Sequence, residues 1–253
     1  MLPCYSKSIT LPKIGNSKEE NEDRILEPSE SEMKSDPIVR FAISDGATES
    51  SFSRRWAELL VNAYKSESFD KEHLSETVKA ISKTWQSEIK LIELPWYAQQ
   101  KAEKGAFATF LGLTIDRKKN SFEAVAVGDC ILFQIREGEL LRSFPRIKGF
   151  NNTPNLIASV EKYQTDLGKN VIYRPGNIQS KDIILLSTDA FAAWILKETN
   201  LGRKKLKKGW RGDDLFKRLE EKNKIKFEKW LNKQRKENKI KNDDVSLLII
   251  KFE

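Results

Sequence analysis

Histidine and cysteine are almost missing from this chain: one His and two Cys occur in 253 residues. Cys4 and Cys130 supply no disulfide framework and no thiolate cluster, and His73 stands alone. These absences exclude zinc sites built on His or Cys and most His-based nucleophilic triads. Any metal held here is a hard cation bound by oxygen. Long apolar runs are also lacking, since nothing approaches the roughly 18 residues needed to cross a bilayer. The opening MLPCYSKSITLPKIG has no basic patch followed by an apolar stretch, so no secretory signal is read there. No GxxxxGK[ST] or GxGxxG occurs, so no nucleotide cradle is expected. The chain reads as a reduced, cytoplasmic protein without a membrane segment.

What is present is enough apolar material for a core, 39% of residues, beside 32% charged residues and a net charge of +8. The charge is uneven. Residues 203 to 241 hold 17 Lys and Arg against 6 Asp and Glu, a local excess of 11 that leaves the rest of the chain at −3 against the overall +8. Such a segment can meet nucleic acid or an acidic partner. The plainer reading is a solvated helix surface, because Leu215, Phe216, Leu219, Phe227, Trp230 and Leu231 recur at near-helical spacing among the charges. Asp213 and Asp214 after Gly212 suit a helix start. A nucleic-acid partner is not expected.

Residues 37–44 (PIVRFAIS) form a β-rich run ending at Asp45-Gly46, a turn signal. Ser50 and Ser51 offer caps for a helix through about Lys65, and Leu74, Val78, Ile81, Trp85 and Ile89 give helical spacing across 71–92. From Ala106, AFATFLGLTID, SFEAVAVGD and CILFQIREG read as an antiparallel meander. Residues 145–180 look irregular. DIILLSTDA is a buried strand ending in an acid, FAAWILK begins a helix, and DVSLLIIKF closes the chain as a strand. Strand and helix runs are segregated, so the fold class is α+β with antiparallel sheets. No repeat or long linker divides the chain, which reads as one domain over residues 1–253 with a basic helical region at about 203–241. Trp56, Trp85, Trp96 and Trp194 read as core residues, and His73 as a surface residue.

An acid recurs at strand edges. Asp45 follows FAIS, Asp189 follows IILLST, Asp243 precedes VSLLII, and Asp129 lies between two strands. Acids gathered at one sheet rim repel one another unless a cation sits among them. Four or more carboxylate oxygens without His or Cys suit Mg²⁺ or Mn²⁺. For any one of these residues taken alone, a turn or cap role is the plainer reading.

The ordered blocks are NEDR (21–24), FAISDGATES (41–50), GAFATFLGL (105–113), AVAVGDCILFQIREGEL (124–140), DIILLSTDAFAAW (182–194) and NDDVSLLII (242–250). Together they resemble the metal-dependent protein phosphatase 2C family, in particular its compact bacterial branch. The resemblance implies an αββα sandwich, two antiparallel sheets flanked by helix pairs, with two Mn²⁺ or Mg²⁺ ions and a third, weaker one at a sheet edge. Asp45 would bridge both metals, Gly46 would bind through its carbonyl, and Asp189 and Asp243 would complete the first metal's shell. Glu22 and Asp23 would act through water, and Asp129 would share the third metal. A metal-activated water would then hydrolyse phosphoserine or phosphothreonine in a phosphoprotein governed by a cognate kinase, with the enzyme a monomer. Two departures stand out. Lys18 occupies the position where many members grip phosphate with Arg, which loses the bidentate fork. Ala47 replaces a histidine found after the Asp-Gly in eukaryotic members. Both motivate an alternative, a catalytically weak or inactive module that binds phosphoproteins.

One match is discarded on geometry. Cys130 and Arg136 have the C-x₅-R spacing of cysteine-dependent phosphatases, but the residues between them read as a strand. Six strand steps separate the two by roughly 20 Å, too far to surround one phosphate.

Overall fold

The computed structural model describes residues 1–66, 69–70, 72–146, 150, 154–164, 167–199 and 212–253. The chain begins with β1 (Cys4–Leu11), β2 (Arg24–Leu26), α1 (Glu30–Ser35) and β3 (Ile38–Ser44). Three helices follow: α2 (Ser53–Ser66), α3 (Leu74–Lys90) and α4 (Trp96–Glu103). Next come β4 (Phe107–Ala108), β5 (Phe110–Asp116), β6 (Ser121–Val127), β7 (Ile131–Arg136) and β8 (Glu139–Phe144). After β9 (Ile157–Ala158), α5 (Leu167–Asn170) and β10 (Ile172–Asn177) lie β11 (Ile183–Ser187) and α6 (Asp189–Thr199). The last elements are α7 (Gly212–Arg218), α8 (Glu221–Lys236) and β12 (Val245–Phe252).

Two five-stranded antiparallel sheets carry the fold, in the orders β1-β12-β11-β7-β8 and β10-β6-β5-β3-β2. Alternation along the strands makes three apolar layers. Between the sheets lie Phe41 and Ile43, Leu111 and Leu113, Leu132, Ile184 and Leu186, and Leu248 and Ile250. The opposite faces of β7, β11 and β12, through Phe133, Leu185 and Leu247, pack under α6, α7 and α8. On the other side, Ala42, Phe110 and Val125 pack under α2, α3 and α4. Both sheets are therefore covered on both faces, which is why their strands read as continuous apolar runs. This is the expected αββα sandwich.

The structure corrects several expectations. The run from Ala106 to Gly138 is not one meander: β5 and β6 pair in one sheet, while β7 belongs to the other, between β11 and β8. The chain changes sheets at Gly128-Asp129. Gly128 has a positive φ of 96°, and a Cβ there would lie 2.6 Å from Thr109 Cγ2, so the crossing needs glycine. Several strands had no counterpart in the sequence reading: β1, β2, β8, β9 and β10. The polar-facing β1 pairs with β12 at a sheet edge, and β10 lies within the stretch read as irregular. Trp96 is 71% exposed rather than core, whereas Trp56 and Trp85 are buried. In the basic segment, Leu215, Leu219, Phe227 and Leu231 are buried against the sheet, and Lys222, Lys226, Lys229 and Lys233 are exposed. Trp230 packs edge-on against Trp194 at 5.4 Å. Residues 203–211, with Trp210, lie outside the described residues.

Arg136, at the far end of β7, forms a bidentate pair with the fully buried Asp182, at 2.6 and 2.8 Å. Asp182 also accepts from Gln134 Nε2 and the Gln179 N–H. Cys130, at the near end, is buried and contacts Thr109 Oγ1 at 3.0 Å; burial pushes its thiol pKa up, opposite to a nucleophilic thiolate. Removing the Asp182 carboxylate takes the acceptor from four N–H donors. Asp182→Ala is expected to lower the unfolding free energy by about 3 kcal/mol in urea titration, with no change in Mn²⁺ affinity. A loss within experimental error would show that solvent replaces the network.

Candidate metal centre

Each acid of interest is set by a strand that ends at the same rim of the sandwich. Asp45 follows β3, and its backbone is fixed on β4 and β5: Thr109 N–H donates to the Asp45 carbonyl at 2.9 Å, and Ala47 N–H donates to Phe107 O at 2.8 Å. Gly46 bridges to Ala108, and a Cβ on it would lie 2.9 Å from the Ser53 carbonyl carbon. The close approach of the loop to the start of α2 thus requires glycine. Asp129 sits at the sheet crossing, Asp189 opens α6, and Asp243 precedes β12. Asp23 is fully buried behind them and accepts from Thr188 Oγ1 at 3.0 Å. Glu22 accepts from the Ser53 hydroxyl.

Asp45, Gly46, Asp129, Asp189 and Asp243 line one cleft of about 650 Å³. Four of the sequence-predicted acids, Asp45, Asp129, Asp189 and Asp243, thus share one cleft, and Glu22 and Asp23 are not on its lining. Lys18 is different. It opens a short 3₁₀ turn capped by Ser17 and Glu20, is exposed, and does not line the cleft. The cations on the lining are Lys13, Lys101, Lys104 and Lys241. Sequence reasoning missed all four, because none sits in a motif.

Crowding shifts the pKa values of these acids. Burial, then the charges of Asp23, Asp189, Asp243 and Asp129, raise the Asp45 pKa well above the ordinary carboxylate range. Burial and Asp244 raise Asp23. Asp189 is raised by burial and Asp243, against the lowering effect of Lys241. Asp129 is pushed up to about 7 by burial and Asp189. Asp244 was not singled out in the sequence, yet it is a structural tie: its two oxygens accept the Lys13 and Glu22 N–H groups, each at 2.8 Å.

The donor set fits a divalent cation. It is made of carboxylates, and Asp23 Oδ1 and Asp189 Oδ1 are buried oxygens with no hydrogen-bond partner. Among the described residues no three acids converge within reach of one metal ion; the ammonium of Lys241 instead lies 2.6 Å from Asp243 Oδ2 and 3.6 Å from Asp189 Oδ2.

Comparison with known proteins places the fold. No family model matches the sequence, and no curated protein does. Solved structures do. The Mycobacterium tuberculosis serine/threonine phosphatase PstP/Ppp is similar at a TM-score of 0.63 and 14% identity, with 100% of each chain covered. RsbX, solved in complex with magnesium, is similar at 0.58 and 14% identity, again with 100% of each chain covered. The photosystem II phosphatase PBCP is similar at 0.59 and 15% identity over 99% of both chains. The chain has the fold of the protein phosphatase 2C-type phosphatases, the family its sequence blocks resemble.

Proposed function

We propose that the chain is a metal-dependent serine/threonine protein phosphatase, acting on phosphoserine and phosphothreonine with Mn²⁺ or Mg²⁺. The single observation that carries this reading is the set of carboxylates at one sandwich rim, which raise one another's pKa and leave two buried oxygens unpartnered. Asp45, Asp189, Asp243 and the Gly46 carbonyl would hold the ions, Glu22 and Asp23 would act through water, and Asp129 would serve a third ion. When bound, the ions supply an attacking water that is deprotonated near neutral pH and offset charge on the phosphoryl oxygens.

The chain's own groups do the rest. The backbone ties at Asp45 and Ala47 fix the loop geometry before any ligand arrives, so little reorganisation is needed. Lys13, Lys101 and Lys104 on the cleft lining favour approach of a phosphate dianion. They replace Lys18 as the phosphate-facing cations, as point charges rather than bidentate forks. Ala47 cannot protonate a leaving group, so no side chain at that position shares the proton transfer.

The test is hydrolysis of para-nitrophenyl phosphate and of phosphoserine and phosphothreonine peptides, with added Mn²⁺, added Mg²⁺, or EDTA. Turnover is expected with either metal and is expected to vanish in EDTA. Phosphopeptide binding without turnover in Mn²⁺ would replace this reading with the phosphoprotein-binding module. Turnover undiminished by EDTA would overturn the metal assignment.

A further inference from the structure

The acid cluster already holds a cation, and that cation belongs to the chain. Lys241 Nζ contacts Oδ2 of both Asp243 and Asp189, the two carboxylates that the family resemblance would assign to one metal. We propose that Lys241 is an intramolecular occupant of that metal position. It holds Asp189 and Asp243 together while no divalent ion is bound, and a divalent ion enters by exchange with the ammonium. This rests on the metal-centre reading and adds to it a residue that sets metal affinity.

Three features of the site support the exchange. First, the lysine satisfies the acids incompletely. Its ammonium reaches Oδ2 of each partner, while Asp189 Oδ1 and Asp23 Oδ1 stay buried and unpartnered. An ammonium has three donors on a single charge, whereas Mg²⁺ or Mn²⁺ takes about six oxygens with two charges. The stronger cation therefore has unused ligands to gain.

Second, the side chain can leave while its backbone stays. Lys241 is 58% exposed at the side chain. On one side Ile240 is buried. On the other, Asn242 accepts from Ile14 N–H at 2.8 Å and donates to Ile14 O at 3.3 Å. The Asp243 carbonyl is held in turn by Arg235 Nη2 at 2.5 Å. Arg235 is itself buried and also donates to Pro12 O at 2.9 Å, so the loop is tied to α8 and to the end of β1. Exchange is then a rotamer change of an exposed side chain, which needs no movement of Asp243's backbone.

Third, the charges oppose each other in the two states. Without metal, Lys241 offsets repulsion between Asp189 and Asp243 and favours the folded chain. With metal, the same charge lies beside a divalent ion and disfavours it. One residue thus acts with opposite sign on the stability of the metal-free protein and on metal affinity. A residue that merely braces the loop would lower both when removed.

The experiment uses the full chain as wild type, Lys241→Met and Lys241→Arg. Each is titrated with Mn²⁺ by calorimetry and melted in EDTA. Lys241→Met is expected to bind Mn²⁺ on the order of tenfold more tightly than wild type, and to melt about 2–4 °C lower in EDTA. Lys241→Arg keeps the charge and is expected to stay close to wild type in affinity. If Lys241→Met binds Mn²⁺ no more tightly than a wild type that does bind it, the proposal falls and the metal centre stands. If none of the three proteins binds Mn²⁺, the metal-centre reading falls and takes the proposal with it.

Discussion

Asp45→Asn is expected to lower metal-dependent turnover on the order of a thousandfold while stabilising the metal-free protein. The two effects have one cause. Asp45 faces four other acids, and their charges, after burial, hold its pKa well above the ordinary range. An amide removes one charge from this crowd without removing a side-chain hydrogen bond, because among the described residues the Asp45 carboxylate accepts none. The loop keeps its backbone ties to Phe107 and Thr109. In EDTA the variant should gain about 1–4 kcal/mol, the range of one relieved repulsion between bulk water and a protein surface. With Mn²⁺ the sign reverses, since a neutral amide is a poorer ligand for a hard cation. Turnover is followed with para-nitrophenyl phosphate, stability by thermal melts with and without metal. Retained activity would remove Asp45 from the site, and a metal-free variant that melts below wild type would assign it a structural role.

The second expectation concerns pH. Asp23, Asp45 and Asp189 have raised pKa values in the folded chain, and Asp129 is pushed up to about 7. In the unfolded chain each returns to about 3.9. Between these values the folded state binds more protons than the unfolded state. Stability of the metal-free protein is therefore fully present below about pH 4 as far as these groups are concerned, and it is lost as pH rises through about 7. The expected loss is roughly 2–4 kcal/mol between about pH 5 and pH 8. A divalent ion replaces the protons as the neutralising charge. At a concentration a hundred times its dissociation constant it should restore about 2.7 kcal/mol, with a larger gain at about pH 8 than at about pH 5. Urea titrations at both pH values, in EDTA and in Mn²⁺, measure this directly. Metal-free stability that is flat or rises across the window would mean the acids are solvated rather than crowded.

Much of the architecture was legible because burial leaves a pattern. β3, β11 and β12 stood out as apolar runs with an acid at one end, α2 and α3 as periodic helices, and the basic α8 as an amphipathic surface helix with Phe227 and Leu231 inward. The same burial hid the sheet assignment. Strands covered on both faces lack the alternation that tells one sheet from another, so β7 reads as the partner of β6 in sequence but pairs with β11 in the fold. β1 was illegible for the opposite reason: as a polar edge strand it alternates weakly and draws its register from β12.

The chain by itself determined the chemistry on offer. With one histidine and two cysteines, and with acids at the ends of apolar strand runs, it excluded soft-metal and thiolate-cluster sites and left oxygen ligands. Tertiary structure decided how those groups meet. It set Asp23 behind Asp45, used Asp244 as a tie for two backbone N–H groups, left Lys18 on an exposed turn, and brought Lys241 between Asp189 and Asp243. Charge interactions among these residues depend on distances of a few ångströms between segments far apart in the chain, and residue spacing carries no record of such distances.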